Sequence, residues 1–445
     1  MEPTYFSFVL FVCFIRFVQN DNVFTNRYSD IRFSPTFVDK TTLIYEVFKH
    51  KHLFLNAPKY FGKSVNLGML NMFLSNLRTR ETIEEYFNGT KIWNDGEFVK
   101  EHLGNHPVIV YNASAYCVVH DEDHMIVTIM KSLFETFTDH AYLLHCDTVS
   151  NEDMSLLRLF MDKKRIQSLR LSDVSEALKF LARLLYQHHG KQVILLADDI
   201  GCGVMERVLE DNLDLRYLTT VTVDWYRSVV NSIKNQKVIS HVVMSGETWL
   251  YGITDLAKEI FYQVPFMYNK EFIHFYGFTY PEVRKLFDDF NITKEQRNDV
   301  IEWYCGYSSV DGEFKACNPL SIHHYLTAPH KMFKVYWSSS SIGHNLLERL
   351  VRKEMYKKRL EVLIKGNAIN ITVGIREQGE ALTEQRQKAE SIQNYSESFI
   401  SRVLLELGYL TFSGQQDSGT LSLRIPNEEI KSIVKKLINA NLTSI

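Results

Sequence analysis

Short apolar runs alternate with helical patterns up to about residue 265 of the 445-residue chain. The apolar runs predict four strands: HLFLN at 52–56, PVIVY at 107–111, QVILLA at 192–197 and VISHVVM at 238–244. Apolar residues at helical spacing follow the first run and recur over Val174–Tyr186, which predicts helices. Because strands that alternate with helices form parallel sheets with both faces covered, the predicted fold class is α/β. Polar residues at the strand ends would then share the sheet edge where such folds bind ligands.

Shorter helical segments replace this alternation after about Val264. Pro281–Phe290 and Asn298–Tyr304 have helical patterns, and turn signals follow at Gly306 and Asn318–Pro319. We therefore expect a mostly helical second region.

The end of the chain predicts a helix, a strand pair and a second helix, which is compatible with a winged-helix-like piece. These segments are Ser398–Leu407, Leu410–Phe412 with Leu421–Ile425, and Glu428–Ile438. The predicted organisation has an α/β part at 28–265, a helical region at 266–390 and a winged-helix-like region at 391–445. A candidate signal peptide precedes them at 1–20.

The apolar run Tyr5–Val18 leaves the destination of the chain open. It is too short to span a bilayer, so we expect no transmembrane span. Its length suits a signal-peptide core, but Met1–Thr4 lacks a positive charge and no small-x-small cleavage site follows. The alternative is a strand or helix packed on the domain. Secretion and an intracellular location both stay open.

The amino-acid composition argues against several classes of protein and kinds of site. A hydrophobic fraction of 45% and a charged fraction of 23% are ordinary for globular proteins, which argues against widespread disorder. The net charge of -3 shows no excess of positive charge, so no specific nucleic-acid partner is predicted. None of the six cysteines forms a C-x-x-C pair, which argues against a zinc ribbon or a thioredoxin-like site, and we expect mostly buried thiols.

The segment between the first strand and its helix approximates the P-loop pattern G-x-x-x-x-G-K-[ST]. In such loops backbone N–H groups wrap phosphates, the lysine neutralises their charge, and the hydroxyl ligates magnesium. Ala57 replaces the first glycine, whereas the last three positions match. The candidate nucleotide-binding residues are Ala57, Pro58, Lys59, Tyr60, Phe61, Gly62, Lys63 and Ser64.

Asp198 and Asp199 follow the third strand, where a P-loop enzyme carries its magnesium-shell carboxylate and a second acidic group. We predict that Asp198, with Ser64, serves the metal and that Asp199 is the catalytic residue. An acidic pair after a strand can also cap a turn or helix. Ser245 follows the fourth strand, where it could sense the terminal phosphate or cap the strand.

Other polar groups are weaker candidates. The segment His120–His124 and the pair His102 and His106 have ligand-like chemistry, but solvated side chains are the favoured interpretation. Asp39 and Lys40 could approach a nucleotide or simply start a helix.

The chain resembles the AAA-ATPase-like family, whose members combine Y-V-D-K-T, R-R-F-G-K-S and L-I-D-E-Y-D motifs. The corresponding segments here are Phe37–Thr41, Lys59–Ser64 and Leu196–Gly201, and the resemblance extends from about Tyr28 to the C-terminus. It implies a P-loop ATPase core followed by a helical region and a winged-helix-like piece. Many members carry a nuclease domain after these parts, and we expect none in the few residues after Ile430.

From the departures from the family motifs we expect hydrolysis to be impaired more than nucleotide binding. Asp199 stands at the position of the family's water-polarising glutamate, and Gly201 replaces the closing aspartate. A misplacement of about 1 Å can cost on the order of 100-fold in rate. Tyr60 replaces an arginine, while Lys59 keeps a positive charge without its bidentate geometry.

Two functional hypotheses follow. The first is an ATP-binding protein that uses Mg²⁺ and hydrolyses ATP slowly or not at all. The second is a secreted or intracellular interaction protein that keeps the fold without binding nucleotide. A protein partner is expected but not identified, and the sequence does not predict the oligomeric state.

Overall fold

The computed structural model describes most of the chain from Tyr28 onward. The described residues are 28–113, 122–169, 171–200, 228–231, 233, 238–248, 260–337, 342–372, 397–414 and 419–442. The candidate signal peptide, His120 and Gly201 lie outside them.

A five-stranded parallel sheet forms the centre of the α/β part, with strand order β2-β3-β4-β1-β5. The strands are β1 His52–Asn56, β2 Val108–Asn112, β3 Val193–Asp198, β4 Ile239–Gly246 and β5 Tyr262–Val264. The four predicted strands are confirmed, and β5 is an addition at the sheet edge. Every residue of β3 is buried, as expected for an inner strand that is covered on both faces.

Helices cover both faces of this sheet. They are α1 Tyr28–Arg32, α2 Leu43–His50, α3 Lys63–Leu74, α4 Arg80–Phe87, α5 Gly96–His102, α6 Glu122–Thr138, α7 Asn151–Phe160 and α8 Leu171–His189. Alternate residues of β1 enter different cores: Leu53 and Leu55 join the one that includes α3, and Phe54 joins the one that includes α6 to α8. The alternation of side chains along a strand therefore places β1 between two hydrophobic layers.

The second region is mostly helical, as predicted, and also contains a small antiparallel sheet of order β6-β8-β7. Its elements are β6 Phe278–Thr279, α9 Tyr280–Asp289, α10 Lys294–Tyr304, β7 Tyr307–Ser308, β8 Lys315–Cys317, α11 Pro319–Thr327, α12 Ile342–Val351 and α13 Glu354–Ile364. Capping boxes start α9 at Thr279 and α10 at Thr293.

A disulfide joins Cys305 and Cys317 within the second region. Both residues are fully buried. The expectation of buried thiols was therefore wrong for this pair, because the fold brings together two cysteines that have no local pairing motif. Cys146 is a free cysteine of intermediate exposure.

The C-terminal part confirms the predicted helix, strand pair and helix. The strand β9 Ile369–Thr372 precedes it, within the predicted helical range 266–390. The elements from 391 onward are α14 Glu397–Glu406, β10 Thr411–Phe412, β11 Thr420–Arg424 and α15 Glu428–Leu442. Because β9 pairs with β11, it extends the predicted pair into an antiparallel sheet of order β10-β11-β9.

The C-terminal part is closely packed on the second region. Arg424 donates a hydrogen bond to the carbonyl oxygen of Gly306 at 2.8 Å, and Ser308 N donates to Thr411 Oγ1 at 2.7 Å. A Cβ atom on Gly306 would lie 2.3 Å from the carbonyl oxygen of Pro426, so only glycine allows this approach. Among the described helices, none is long and apolar enough to cross a membrane.

Candidate functional site

The loop between β1 and α3 has a backbone conformation that depends on Gly62. Gly62 precedes the helix with φ of 92°, a left-handed conformation that residues with a Cβ atom rarely adopt. No atom lies within 4 Å of the position where a Cβ would stand, so the backbone angle and not crowding favours glycine. Tyr60 also has a positive φ, at 67°. The loop therefore turns sharply before it enters α3, with its backbone close to the cavity described below.

Lys63 lies buried over this loop. Its Nζ donates hydrogen bonds to the carbonyl oxygens of Ala57 at 2.9 Å and Pro58 at 3.1 Å. Only 5% of Lys63 is exposed, and it lines the same cavity as Ser64 at the start of α3. The lysine and the hydroxyl of the motif thus border one space, as the P-loop pattern predicts.

Asp198 at the end of β3 and Ser245 near the end of β4 are in contact. Ser245 Oγ donates a hydrogen bond to Asp198 Oδ1, and the backbone N of Asp199 donates to the same oxygen at 3.0 Å. Asp198 is 7% exposed. Two donors therefore hold one carboxylate oxygen of Asp198, and the strand-end prediction correctly brought Asp198 and Ser245 together.

Close backbone approach at this edge requires a second glycine. Ile200 N donates to the carbonyl oxygen of Ser245 at 2.8 Å. A Cβ on Gly246 would lie 2.7 Å from the carbonyl oxygen of Ile200, so a side chain there would push the two segments apart.

Asp199 lies in an environment that disfavours its charge. Burial, followed by the negative charge of Asp198, raises its pKa to about 7, although Lys63 acts in the opposite direction. Its φ of 54° is left-handed, a region that aspartate tolerates better than most residues. The side chain borders the same cavity as Lys63 and Glu247. This carboxyl group therefore holds its proton more tightly than an ordinary aspartate does.

The cavity continues from the loop to the N-terminal segment and the second region. Its walls include apolar side chains from all three, among them Phe37, Phe275 and Leu320. Thr36 Oγ1 and His323 Nδ1, both at the cavity wall, are 2.6 Å apart and join the N-terminal segment to α11. The site thus combines charged groups at the loop with an apolar wall.

The structure separates the roles of Asp39 and Lys40. Asp39 Oδ1 accepts hydrogen bonds from Thr41 N at 2.9 Å and Thr41 Oγ1 at 2.7 Å, which is a local turn-capping arrangement. Lys40 instead lines the cavity, where its Nζ lies 2.7 Å from both carboxylate oxygens of Glu282. Burial lowers the pKa of Lys40, and the Glu282 carboxylate opposes that effect.

The outer side of the loop contacts both of the other parts of the molecule. Phe61 packs edge-on against Tyr307, with ring centroids 4.8 Å apart, and its carbonyl oxygen accepts a hydrogen bond from Gly277 N at 3.0 Å. A Cβ on Gly408 would lie 2.9 Å from two ring carbons of Pro58. Sequence reasoning missed these contacts, because they join residues that are far apart in the chain.

His102 and His106 are not the solvated pair that was expected. Their rings stack, and His102 Nδ1 lies 3.2 Å from His106 Nε2. Burial lowers the pKa of His102 and lowers that of His106 to about 4, so both are neutral at pH 7.

A parallel sheet, a glycine-ended loop before a helix, a buried lysine and a strand-end carboxylate define a P-loop-like α/β protein. A family model described as Predicted AAA-ATPase matches residues 25–255. The chain belongs to this AAA-ATPase-like family. No curated protein matches the chain.

Proposed function

We propose that the protein binds ATP together with Mg²⁺ at the loop Ala57–Ser64 and hydrolyses it slowly or not at all. The observation that carries this proposal is the buried Lys63 ammonium, which borders one cavity with Ser64 and Asp199. A nucleotide-binding protein of this family needs a cation and backbone donors at such a position.

Different side chains of the loop and the strand ends would bind the phosphates and the Mg²⁺ ion. Lys63 would exchange its contacts with two loop carbonyls for phosphate oxygens, which are stronger partners because the hydrogen bonds are charge-assisted. Ser64 at the cavity would supply a hydroxyl oxygen and Asp198 at the end of β3 a carboxylate oxygen, the ligand types that Mg²⁺ prefers. Bound Mg²⁺ would neutralise phosphate charge. Ser245 would keep Asp198 oriented through the contact between their side chains.

Weak hydrolysis is proposed from the length of the Asp199 side chain. This side chain is one methylene shorter than the glutamate of the family motif, and a misplacement of about 1 Å can cost on the order of 100-fold in rate. The shorter side chain would reduce the ability of Asp199 to orient a water molecule. The raised pKa of Asp199 does not by itself disfavour catalysis, because a base with a pKa near the working pH is efficient.

The apolar wall suits the base and sugar of a nucleotide. Phe37 and Phe275 offer ring surface, and Leu320 adds an aliphatic contact from α11. Because α11 belongs to the second region, a bound nucleoside would touch both the α/β part and its neighbour. We propose the ranges 28–265, 266–390 and 391–445 for the three parts.

Nucleotide occupancy is proposed to set the position of the C-terminal region, which would act as a winged-helix-like module. Support comes from the contacts of Pro58 with Gly408 and of Phe61 with Tyr307, because a shift of the loop would displace both. The partner that reads this position is proposed to be a protein.

One observation favours the alternative of an interaction protein that binds no nucleotide. The ammonium of Lys63 is already satisfied by the carbonyl oxygens of Ala57 and Pro58, so the loop is closed on itself. Secretion through the segment 1–20 would agree with this alternative, since an exported protein meets little ATP.

Calorimetric titration of the full chain with ATP, with and without Mg²⁺, tests the proposal. We expect Mg²⁺ to strengthen ATP binding, and Asp198→Asn to reduce this gain by about tenfold or more, the effect of one charged contact. Asp289→Asn, at the end of α9, is the control. ATP affinity that is independent of Mg²⁺ in the unmodified protein would contradict the proposed metal role of Asp198.

A further inference from the structure

Glu46, His50 and Glu271 form a second cluster of metal-binding side chains, here called the amino-edge cluster. Glu46 and His50 lie one turn apart on α2, which leads into β1, and Glu271 follows β5. His50 precedes β1, whereas the candidate nucleotide loop follows it, so the cluster lies at the opposite edge of the sheet. We propose that it binds one Zn²⁺ ion, a site beyond the proposed ATP function and independent of it.

The distances within the amino-edge cluster suit a tetrahedral ion. His50 Nε2 lies 3.2 Å from Glu271 Oε2 and 3.6 Å from Glu46 Oε2. One donor atom from each of the three residues lies within 4.8 Å of the others. Zinc–ligand bonds of about 2.0–2.1 Å in a tetrahedron place neighbouring donor atoms about 3.3 Å apart. Three protein ligands would leave the fourth position to water.

Two of the donor atoms lie within ion-pair distance of neighbouring side chains but do not complete a hydrogen bond with them. Glu46 Oε2 and His50 Nε2 are shielded from solvent and have no hydrogen-bond partner in the part of the chain that the structure describes. A buried polar atom without a partner is costly, and a metal ion would satisfy both atoms at once.

Neighbouring residues hold the ligands in position. The His50 ring stacks on Tyr262 of β5, with ring centroids 4.0 Å apart and planes at 25°. The backbone N of Glu271 donates to Asn269 Oδ1 at 2.9 Å, which fixes the start of the segment that carries this carboxylate. Such outer contacts orient metal ligands before the ion arrives.

Lys49 is the competing cation. Its ammonium bonds to Glu271 Oε1 and lies 3.5 Å from Glu46 Oε2, so without a metal it balances part of the negative charge. The side chain is 57% exposed, and it uses the Glu271 oxygen that does not face His50. Lys49 can therefore turn toward water when a divalent ion binds, which opens a path from solvent to the ligands.

The ligand types favour Zn²⁺ over Mg²⁺. An imidazole nitrogen is a common ligand of zinc, whereas magnesium prefers oxygen ligands in an octahedron. The ion would connect α2 to the segment after β5, which has only three residues of strand to hold it at the sheet edge. With three protein ligands the ion would keep one ligand position open to water, unlike a closed zinc site with four protein ligands.

The test uses the full chain without nucleotide, titrated with Co²⁺ as a spectroscopic probe and with Zn²⁺ by calorimetry. We expect one ion per chain, a cobalt absorption spectrum of four-coordinate geometry, and a higher midpoint of thermal unfolding with Zn²⁺. His50→Ala should weaken Zn²⁺ binding by about 100-fold or more, since loss of an outer-shell partner alone costs roughly 10- to 100-fold. Glu271→Gln, which keeps the side-chain shape, should show the same loss.

Two matched variants separate this site from alternatives. His102→Ala removes a histidine whose ring is 4.0 Å from Phe48 of α2, and it should leave zinc binding unchanged. Lys49→Ala should strengthen binding severalfold by removing the competing charge. The proposal is overturned if the unmodified protein gives no cobalt spectrum, if His50→Ala and Glu271→Gln both still bind, or if His102→Ala loses the ion.

Discussion

At the scale of single residues, the chemistry of the candidate site depends on the surroundings of each side chain. The motif residues Gly62, Lys63 and Ser64 could be recognised in the sequence because a P-loop requires them at fixed spacing. The contact of Ser245 with Asp198 follows from parallel strand ends that meet at one edge. The shifted pKa of Asp199 could not be predicted, because it arises from burial and from charges brought together by the fold.

The pH dependence of turnover tests the role of Asp199. Any ATP hydrolysis should rise as the pH increases through about 7, because the base must lose its proton and its pKa is raised to that value. The kcat/KM of phosphate release, measured from about pH 5.5 to 8.5 at subsaturating ATP, checks this, because kcat/KM reports the pKa of the free protein. Asp199→Asn should remove the pH-dependent part, and an unchanged profile in that variant would exclude Asp199 as the base.

A comparison of Gly62→Ala with a control glycine distinguishes the effect of backbone strain on stability from the effect of the loop on nucleotide binding. Alanine in a left-handed conformation costs about 1–2 kcal/mol of stability, and at Gly62 it would also distort the loop. Gly89 is a matched control, since its φ is 77° and no atom lies within 4 Å of its Cβ position. Both variants should lower the denaturation midpoint similarly, and only Gly62→Ala should lose ATP affinity. Equal ATP affinity in the two variants would contradict the proposed role of the loop.

At the scale of elements, long and buried segments were predictable and short ones were not. The first four strands are continuous apolar runs, whereas β5 has three residues and begins with the partly exposed Tyr262. The strands of the small sheet β6-β8-β7 have two or three residues, too few for a period to be recognised. The amino-edge cluster was also missed, because Glu271 meets Glu46 and His50 only in the folded chain.

Glu429 is the polar connection between α15 and the second region. This fully buried carboxylate accepts hydrogen bonds from Tyr336 N at 2.7 Å, Trp337 N at 3.0 Å and Ser321 Oγ of α11 at 2.8 Å. Glu429→Ala leaves these donors buried without an acceptor, so we expect a loss of roughly 2–4 kcal/mol of unfolding free energy. Glu428→Ala, one residue earlier, removes a partly exposed side chain that pairs with Lys431 in the first helical turn, so it should cost less than about 1 kcal/mol. Chemical denaturation compares them, and equal losses would contradict this account.

The same carboxylate gives stability a defined pH dependence. Burial raises the pKa of Glu429 to about 7, so the folded state binds its proton more tightly than the unfolded state, in which the pKa is about 4.3. The stabilising effect of this proton is complete below about pH 4.3 and is lost as the pH rises through about 7. Glu429→Gln should therefore show a flatter decline of stability over that window. A decline as steep as in the unmodified protein would contradict the shifted pKa.

At the scale of the whole molecule, the candidate nucleotide loop is a junction of all three parts. Its Phe61 contacts Tyr307 of the second region, and its Pro58 lies against Gly408 beside α14. The order of the main helices and strands could be predicted from the sequence, but the contacts between distant segments could not, because they depend on side chains that are far apart in the chain. Because of these contacts, a movement of the loop would also displace residues of the C-terminal part.

The most direct measurement is titration of the full chain with a fluorescent ATP analogue in the presence of Mg²⁺. Lys63→Ala is compared with Lys100→Ala, which removes an exposed lysine from α5. The account predicts saturable binding in the unmodified protein and in Lys100→Ala. It predicts affinity about 10- to 100-fold weaker in Lys63→Ala, the value of one or two charged hydrogen bonds. Absence of binding in the unmodified protein, or equal affinity in the two variants, would contradict ATP binding at this loop.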